Sequence, residues 1–242
     1  MSPKSAPSLP SWPAAAHPSA RRPVVWVNCA MSVDGKIAYS GGAEAKLSGP
    51  QDYARVQQIR ATSDAILVGG GTVRRDNPSL RIHWDLLGPE PMPAELLRRK
   101  DKPPLRVVMG SLKGIPPKSR FLDGSLPTVV FSVNGDRSKY PTHVTVVRCE
   151  ESQVQVAKVL EWLKGHEVER LMVEGGSRVL TSFLRGGLVD RFTVFVSPQL
   201  IGGTRAPVVF GGDESRNSDE TISLHLVESV PMDQGILLTY TL

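Results

Sequence analysis

Residues 65–82 of the chain read AILVGGGTVRRDNPSLRI, a short apolar run that passes directly into three glycines and a polar segment. The run from Ala65 to Val68 is typical of a buried strand, and the glycines after it are typical of a strand-to-helix turn. Backbone N–H groups at such a turn, together with the N-terminus of the following helix, offer a favourable place for phosphate. This stretch therefore predicts a βα unit that carries an anion-binding loop.

Outward from this unit, short β-branched runs alternate with helical patterns along most of the chain. The strand-like runs are VVWVNCA, LRVVM, TVVF, VTVV, RLMVEGG and RFTVFVS, and the helix-like runs are PQDYARVQQIRA, QVAKVLEWL and SRVLTSFLRGG. Such alternation is typical of an α/β fold in which helices cover a largely parallel sheet. Leu224 to Val227 and Ile236 to Tyr240, joined through Pro231 and Gly235, predict antiparallel strands at one edge, which makes the sheet mixed.

The 242 residues are expected to form one domain behind a disordered segment. Residues 1–22 combine five prolines with alanine and serine and contain no acidic residue. That composition offers too little apolar surface to offset the entropy of ordering, so we expect a disordered tail at 1–22 and a single domain at 23–242. The proline-rich, charged stretch at 84–104 predicts a surface insertion within this domain.

Composition and charge limit the class of partner. A formal net charge of +5 and a pI near 9.4 favour an anionic partner. Because the basic residues are scattered and no nucleic-acid-binding motif occurs, we expect a phosphorylated small molecule and no nucleic acid. No run approaches the ~20 apolar residues that cross a bilayer, so no membrane association is expected. The two cysteines, Cys29 and Cys149, do not form a Cys-x-x-Cys pair, which favours a cytoplasmic location.

Several catalytic motifs are absent from the sequence. There is no Gly-x-Gly-x-x-Gly after the first strand pattern, no Walker lysine loop, no His-Glu-x-x-His and no Gly-x-Ser-x-Gly. The five histidines are dispersed along the chain. These observations disfavour an orthodox Rossmann dehydrogenase, a P-loop NTPase, a serine hydrolase and a metalloenzyme, and no metal is expected.

A second glycine cluster, Gly175 and Gly176 followed by Ser177, also lies between a strand pattern and a helix pattern. Thr72 in the first cluster and Ser177 in the second are each placed to cap the following helix and to donate to phosphate. Glu174 ends an apolar strand pattern, where an unpaired carboxylate would be costly, so a polar ligand or a cation partner is expected beside it. Two such turns in one sheet predict a bound ligand, and phosphate is the group that suits them.

The first glycine segment resembles the reductase family of riboflavin biosynthesis. This family occurs as the C-terminal domain of a bacterial bifunctional deaminase-reductase and as a standalone protein in fungi and archaea. Its pattern G-T-V-x-x-D-x-P-x-L is matched from Gly71 to Leu80. Further matches, in the family's order, are MSVDGK at 31–36, IRA at 59–61, VEGGS at 173–177 and GLVD at 187–190.

The resemblance implies a dihydrofolate-reductase-like fold, in three layers with a mostly parallel mixed sheet, that binds NADPH across the carboxyl ends of the strands. The cofactor contacts that it implies are Ala30, Thr72, Asp76, Ser111, Gly175, Gly176, Ser177, Arg178, Val179 and Leu180. The residues that it implies toward the substrate are Asn28, Arg60, Leu80, His83 and Glu174, with Glu174 as the catalytic candidate. Lys113 is a further candidate for the 2′-phosphate of NADPH. Without the family pattern, Asp76 is typical of a turn and Arg60 of a helix end.

The resemblance also implies an NADPH-dependent oxidoreductase that transfers hydride to ribose C1′ of a phosphorylated ribosylamino-pyrimidine. Because the chain lacks the His-x-Glu and Pro-Cys-x-x-Cys zinc signature of the deaminase, it favours 2,5-diamino-6-ribosylamino-4(3H)-pyrimidinone 5′-phosphate as the substrate. The alternatives are a reductase of the same fold that acts on the deaminated pyrimidine or on a pterin, and a non-catalytic nucleotide-binding protein. A homodimer is expected, because family members pair through strands near the C-terminus.

Overall fold

The computed structural model describes residues 11–13, 21–41, 43–87, 96, 101–111, 113–116, 118–133, 137–212 and 218–242. The strands of these residues are β1 (Val24–Ser32), β2 (Ala65–Gly69), β3 (Leu105–Met109), β4 (Thr128–Ser132), β5 (Val144–Arg148), β6 (Arg170–Gly175), β7 (Arg191–Ser197), β8 (His225–Met232) and β9 (Gly235–Thr241). The helices are α1 (Pro50–Thr62), α2 (Gly70–Asp76), α3 (Val156–Gly165) and α4 (Ser177–Arg185). Single turns of 3₁₀ helix lie at Trp84–Leu86, Arg120–Leu122, Arg137–Lys139 and Ser218–Glu220.

All of the described strands belong to one mixed sheet, in the order β5-β4-β3-β2-β6-β1-β7-β9-β8. The strands from β5 to β7 in this order run parallel, whereas β9 pairs antiparallel with β7 and β8. Parallel neighbours need crossover connections, and the helices between strands supply several of them. The α/β class with a mostly parallel mixed sheet is therefore confirmed, and the strand and helix patterns quoted above correspond to elements of the structure.

The sheet lies between two helical layers, which explains why its central strands are apolar on both faces. Val27 and Val173 pair in register and pack on the side of α3 and α4. Trp26 and Met172 pack on the other side, where α1 and α2 lie. Because side chains alternate along a strand, Asn28 falls on the α1 face, two positions beyond Trp26. The same alternation places Glu174, two positions beyond Met172 near the end of β6, on that face as well.

The C-terminal hairpin differs in detail from the prediction. β8 continues through Pro231, and the connection to β9 is made by Asp233 and Gln234, with Asp233 at a φ of 52°. Proline is tolerated at Pro231 because β8 is an edge strand. The Asp233 carboxylate accepts hydrogen bonds from the backbone N–H groups of Gln51 and Asp52, each at 3.0 Å. The hairpin thus caps the N-terminus of α1.

Two parts of the segment expected to be a tail contact the domain. The Trp12 ring packs edge-on against Trp26, with centroids 5.4 Å apart, and its Nε1 donates to Thr62 Oγ1 at 3.0 Å. Arg22 forms an ion pair with the buried Asp190, at 2.6 Å. The expected disorder stays a prediction for residues 1–10 and 14–20, which lie outside the described residues.

The expected insertion at 84–104 is only partly described, since 88–95 and 97–100 lie outside the described residues. Where it is described, Leu87 and Leu96 are buried in a small apolar cluster with Ala61. None of the described helices is both long and apolar enough to cross a membrane.

Candidate active site

A cleft of about 1040 Å³ lies beyond the carboxyl ends of β2, β3, β4 and β6. Strand ends that share one edge of a parallel sheet are the usual ligand site of α/β folds. Its walls are the first glycine cluster at 69–71, the end of β3 and the following residues at 109–111, Ser132 and Val133 at the end of β4, and the start of α4. Among its described lining residues the charged ones are all arginines, namely Arg74, Arg75, Arg178 and Arg185. The cleft therefore favours a ligand that carries several negative charges.

Two glycines in this cleft, Gly70 and Gly176, stand where an added side chain would collide with neighbouring atoms. A Cβ added to Gly70 would lie 2.4 Å from the Ser111 carbonyl oxygen, and one added to Gly176 would lie 2.9 Å from Thr72 Oγ1. Thr72 Oγ1 is itself sealed from solvent and has no hydrogen-bond partner among the described residues. Because an unpaired buried hydroxyl is costly, a ligand oxygen is the fitting partner for it. The peptide bond between Gly175 and Gly176 is cis.

Six of the predicted cofactor contacts line the cleft: Thr72, Ser111, Gly176, Ser177, Arg178 and Val179. The other four do not. Gly175 ends β6, Leu180 is buried in the core, Asp76 forms an ion pair with Arg75 at 2.7 Å, and Ala30 is paired with Phe195 within the sheet. Their contacts with a cofactor stay predictions.

The side-chain caps predicted for the two helices are not observed. α2 is capped by Gly69 and α4 by Gly176, neither of which has a side chain that can accept a hydrogen bond. Thr72 lies inside α2, and the Ser177 hydroxyl donates to the Val208 carbonyl instead. Both helices therefore keep their first N–H groups free of side-chain caps, on the side where the cleft lies.

The sequence did not single out Arg74, which connects two walls of the cleft. Its Nη1 donates to the Ser111 carbonyl at 2.6 Å and lies 3.4 Å from that of Lys113. The Lys113 side chain, in contrast, is not among the lining groups. Arg74 and Arg75 occupy the two variable positions of the G-T-V-x-x-D pattern, so the family resemblance could not indicate them. Their charge next to a glycine-rich strand-to-helix turn was the available signal.

On the α1 face, Arg60 and Glu174 form a bidentate ion pair. Arg60 Nε donates to Glu174 Oε1 at 2.6 Å, and Nη2 donates to Oε2 at 2.7 Å. The two side chains are 15% and 14% exposed. Burial alone would lower the pKa of Arg60, but the charge and the hydrogen bonds of Glu174 raise that pKa above its ordinary value. Glu174 thus has the cation partner that the sequence predicts as one of two possibilities.

Of the other predicted substrate residues, Asn28 lies next to this pair in the sheet register. Val27 pairs with Val173, so the residues that follow them, Asn28 and Glu174, are neighbours on adjacent strands. Leu80 is buried in the apolar core on the α1 face, with a φ of 51°. His83 is exposed, and its ring centroid lies 6.2 Å from that of Tyr53. The structure therefore brings Asn28, Arg60 and Glu174 together, whereas substrate contacts of Leu80 and His83 stay predictions.

Arg55 is a second candidate that the sequence did not single out. It lies on α1 between Asp52 and Arg60, and its Nη2 donates to Asn28 Oδ1 at 2.7 Å. The available signal was the polarity of the helix, because α1 buries Asp52 and Gln57 where an ordinary amphipathic helix would bury apolar side chains. Within the described residues, no group of His, Cys, Asp and Glu side chains is arranged to hold a metal ion.

Comparison with known proteins gives the family. A family model described as the RibD C-terminal domain matches residues 23–238. The 2,5-diamino-6-ribosylamino-4(3H)-pyrimidinone 5′-phosphate reductase of Methanothermobacter thermautotrophicus is 35% identical over 228 residues, which cover 91% of this chain and 98% of that protein. The protein of the same name from Archaeoglobus fulgidus is 34% identical over 201 residues, which cover 79% and 88%.

A solved structure agrees with this grouping. The diaminohydroxyphosphoribosylaminopyrimidine deaminase/5-amino-6-(5-phosphoribosylamino)uracil reductase of Thermotoga maritima matches with a TM-score of 0.74 and 26% identity, over 91% of this chain and 56% of that one. The fold, the glycine clusters and the ion pair between Arg60 and Glu174 are thus accompanied by sequence similarity to known proteins along nearly the whole chain. Because the family model spans residues 23–238, the chain belongs to the RibD C-terminal domain family.

Proposed function

We propose that this chain reduces the ribose of 2,5-diamino-6-ribosylamino-4(3H)-pyrimidinone 5′-phosphate to the ribitylamino product, with NADPH as the reductant. One observation carries the proposal: Glu174, paired with Arg60, lies two residues before Gly176, which lines the arginine-rich cleft. A nucleotide in the cleft and a substrate beside the ion pair would therefore meet at the end of β6. The archaeal relatives named as reductases of this substrate match the chain over most of their length.

The residues of the cleft fit NADPH. Gly70 and Gly176 line the cleft without side chains, so a phosphate can approach the backbone there, and Thr72 Oγ1 has no partner among the described residues that would take the place of a phosphate oxygen. Arg74 and Arg178 add the positive charge that favours the 2′-phosphate of NADPH over the bare ribose of NADH. When bound, the nicotinamide supplies the hydride, and the protein supplies orientation and charge.

The substrate side is formed by the α1 face. Opening of the ribosylamine breaks the bond from C1′ to the ring oxygen, forms a C1′=N bond and moves the proton of the N–H group to that oxygen. Reduction then places hydride on C1′ and a proton on the nitrogen. The Glu174 carboxylate would stabilise positive charge on that nitrogen. Among the described residues, Arg60 Nη1 makes one long contact, 3.4 Å to the Arg81 carbonyl, so it has the capacity to donate to a substrate oxygen.

The decisive experiment is turnover with the purified chain, followed by the loss of NADPH absorbance. The diamino substrate and its deaminated counterpart are compared in parallel, because the Thermotoga maritima relative is named as a uracil reductase. We expect a higher kcat/KM with the diamino substrate and with NADPH than with NADH. Preference for the deaminated substrate would move the assignment to that reaction, and absence of turnover with both would contradict the proposal.

We also propose that the enzyme is a cytoplasmic homodimer that pairs through the β8 edge. Leu226 and Val227 on this edge strand are 58% and 59% exposed, and an exposed apolar edge favours pairing with another chain. Cys29 and Cys149 are free thiols, which fits a reducing compartment. Light scattering should give about twice the 26.3 kDa mass of one chain. A monomer at micromolar concentration would contradict the dimer.

A further inference from the structure

Arg55 carries a buried charge that the proposed reaction does not yet use. Its Nε and Nη2 donate to Asp52 Oδ1 at 3.0 and 2.7 Å, and the Ser48 hydroxyl donates to Asp52 Oδ2 at 2.5 Å. The Arg55 and Asp52 side chains are only 12% and 1% exposed. A buried ion pair contributes little net stability compared with apolar side chains of the same volume, so stability alone gives no reason for this one.

The Arg55 guanidinium fixes the orientation of the Asn28 amide. Its Nη2 lies 2.7 Å from Asn28 Oδ1, and a guanidinium can only donate, so the amide atom that faces it must be the oxygen. The Thr193 hydroxyl lies 2.8 Å from the same oxygen while it accepts from Trp26 Nε1 at 2.9 Å. Both hydrogen bonds reach Asn28 Oδ1, and an amide turned the other way would place its NH₂ group against the guanidinium, which has no acceptor.

This orientation leaves the NH₂ group of Asn28 for another partner. Asn28 Nδ2 donates to no group among the described residues, and it is not one of the polar atoms sealed from solvent there. Val27 pairs with Val173 in register, so Asn28 and Glu174 are neighbours at the ends of adjacent strands. An oriented amide donor therefore lies next to the carboxylate where the substrate is proposed to bind.

We propose that Arg55 is a positioning residue for the substrate: together with Thr193, it holds the Asn28 amide so that its NH₂ group donates to an oxygen of the ribosylamino-pyrimidine. The identity of that substrate rests on the proposed function. The expected consequence is selectivity, because a fixed NH₂ group donates to a hydroxyl or carbonyl oxygen of the ligand and disfavours an amino group at the same place.

A double-mutant cycle with Arg55→Gln and Asn28→Ala tests this role. Each single change should raise the KM for the substrate about tenfold, the cost of one oriented hydrogen bond, with a much smaller change in kcat. The double variant should be no worse than Asn28→Ala, since Arg55 acts through that amide. Additive losses in kcat/KM, or a wild-type KM in Arg55→Gln, would overturn the proposal.

A second pair of variants avoids the ion pair, because loss of Arg55 leaves the buried Asp52 without its cation. Thr193→Val removes one donor to Asn28 Oδ1, and Thr193→Ser keeps it. The KM of Thr193→Val should exceed that of Thr193→Ser severalfold, and equal values would overturn the role of this orientation. NADPH affinity, measured by titration, should stay unchanged in all of these variants. Wild-type turnover, measured alongside, reports separately on the proposed function.

Discussion

Replacing Glu174 by glutamine tests the centre of the candidate site with little change in shape. In the protein, Arg60 donates to both carboxylate oxygens, at 2.6 and 2.7 Å. A glutamine offers one acceptor oxygen, and its NH₂ group would face a guanidinium N–H. Arg60 is only 15% exposed and would keep its charge. The change therefore removes one hydrogen bond and the compensating charge of a largely buried cation.

The magnitude follows from burial. Loss of one partner of a fully buried pair costs about 3–5 kcal/mol, but this pair is partly exposed and one acceptor survives, so we expect about 2 kcal/mol of lost stability. For a domain of this size, that loss lowers Tm by roughly 4–8 °C. The effect on turnover should be larger. If the carboxylate stabilises charge that develops in the transition state, its loss should cost ~2–4 kcal/mol of barrier, or roughly a hundredfold in kcat.

The assay combines thermal unfolding, NADPH titration and steady-state turnover. Glu169→Gln is the matched control, because Glu169 pairs with Lys164 on the surface and is 65% exposed. This control should leave Tm and turnover close to those of the wild type. The reasoning is refuted if Glu174→Gln keeps wild-type turnover while its stability falls by the full cost of a buried pair. Glu174 would then be a structural carboxylate, and the substrate would bind elsewhere.

Three further predictions concern stability and reactivity. Gly70→Ala should lower both Tm and NADPH affinity, because its Cβ would lie 2.4 Å from a backbone carbonyl oxygen. Gly165→Ala is the control, since the added Cβ meets open space, and it should leave both quantities unchanged; equal losses in the two variants would refute the prediction. Burial raises the pKa of the Cys29 thiol to about 12, so at about pH 8.5 a thiol reagent should modify Cys149 first. The variant Cys149→Ser keeps Cys29 as its remaining thiol, and rapid modification of this variant by the reagent would contradict the prediction. The pKa of Asp34 is lowered to about 2 by the hydroxyl and amide groups that donate to it, so its stabilisation is present above its ordinary pKa of about 4 and lost as pH falls through 2. In urea titrations, the free energy of unfolding of Asp34→Asn should therefore be lower than that of the wild type at neutral pH, and the two values should converge in acid. A difference of the same size at pH 2 would contradict the prediction.

Local periodicity was sufficient to predict the sheet. Each β-branched run between turn residues became a strand, because a strand buried on both faces needs apolar residues at nearly every position. Strand-to-helix glycines were predictable for the same local reason, as at Gly69, Gly70 and Gly176, where an added Cβ would lie within 3 Å of another group. The hairpin turn was misplaced because Pro231, a common turn residue, is equally acceptable on an edge strand.

The polar network around the site was not predictable from such patterns. Arg55 and its partner Asn28 are 27 residues apart, and Arg74 and its partner Ser111 are 37 apart. Each contact depends on which strands become neighbours, and no local period encodes that. Glu174 was the exception. A charged residue at the end of an apolar strand is improbable without a partner, so its sequence context alone indicated either a cation or a ligand.

The Asp233 cap has a consequence for the order in which the protein is made. The N–H groups that it satisfies, at Gln51 and Asp52, precede it by 182 and 181 residues. On the ribosome, α1, which carries Arg55 and Arg60, emerges early, and its first turn stays uncapped until the hairpin of β8 and β9 has left the exit tunnel. The described residues that line the cleft end at Gly212, and none of them belongs to that hairpin. A chain stopped by a nonsense codon ahead of the hairpin would therefore contain every described residue that lines the cleft, but the first turn of the helix would lack its cap.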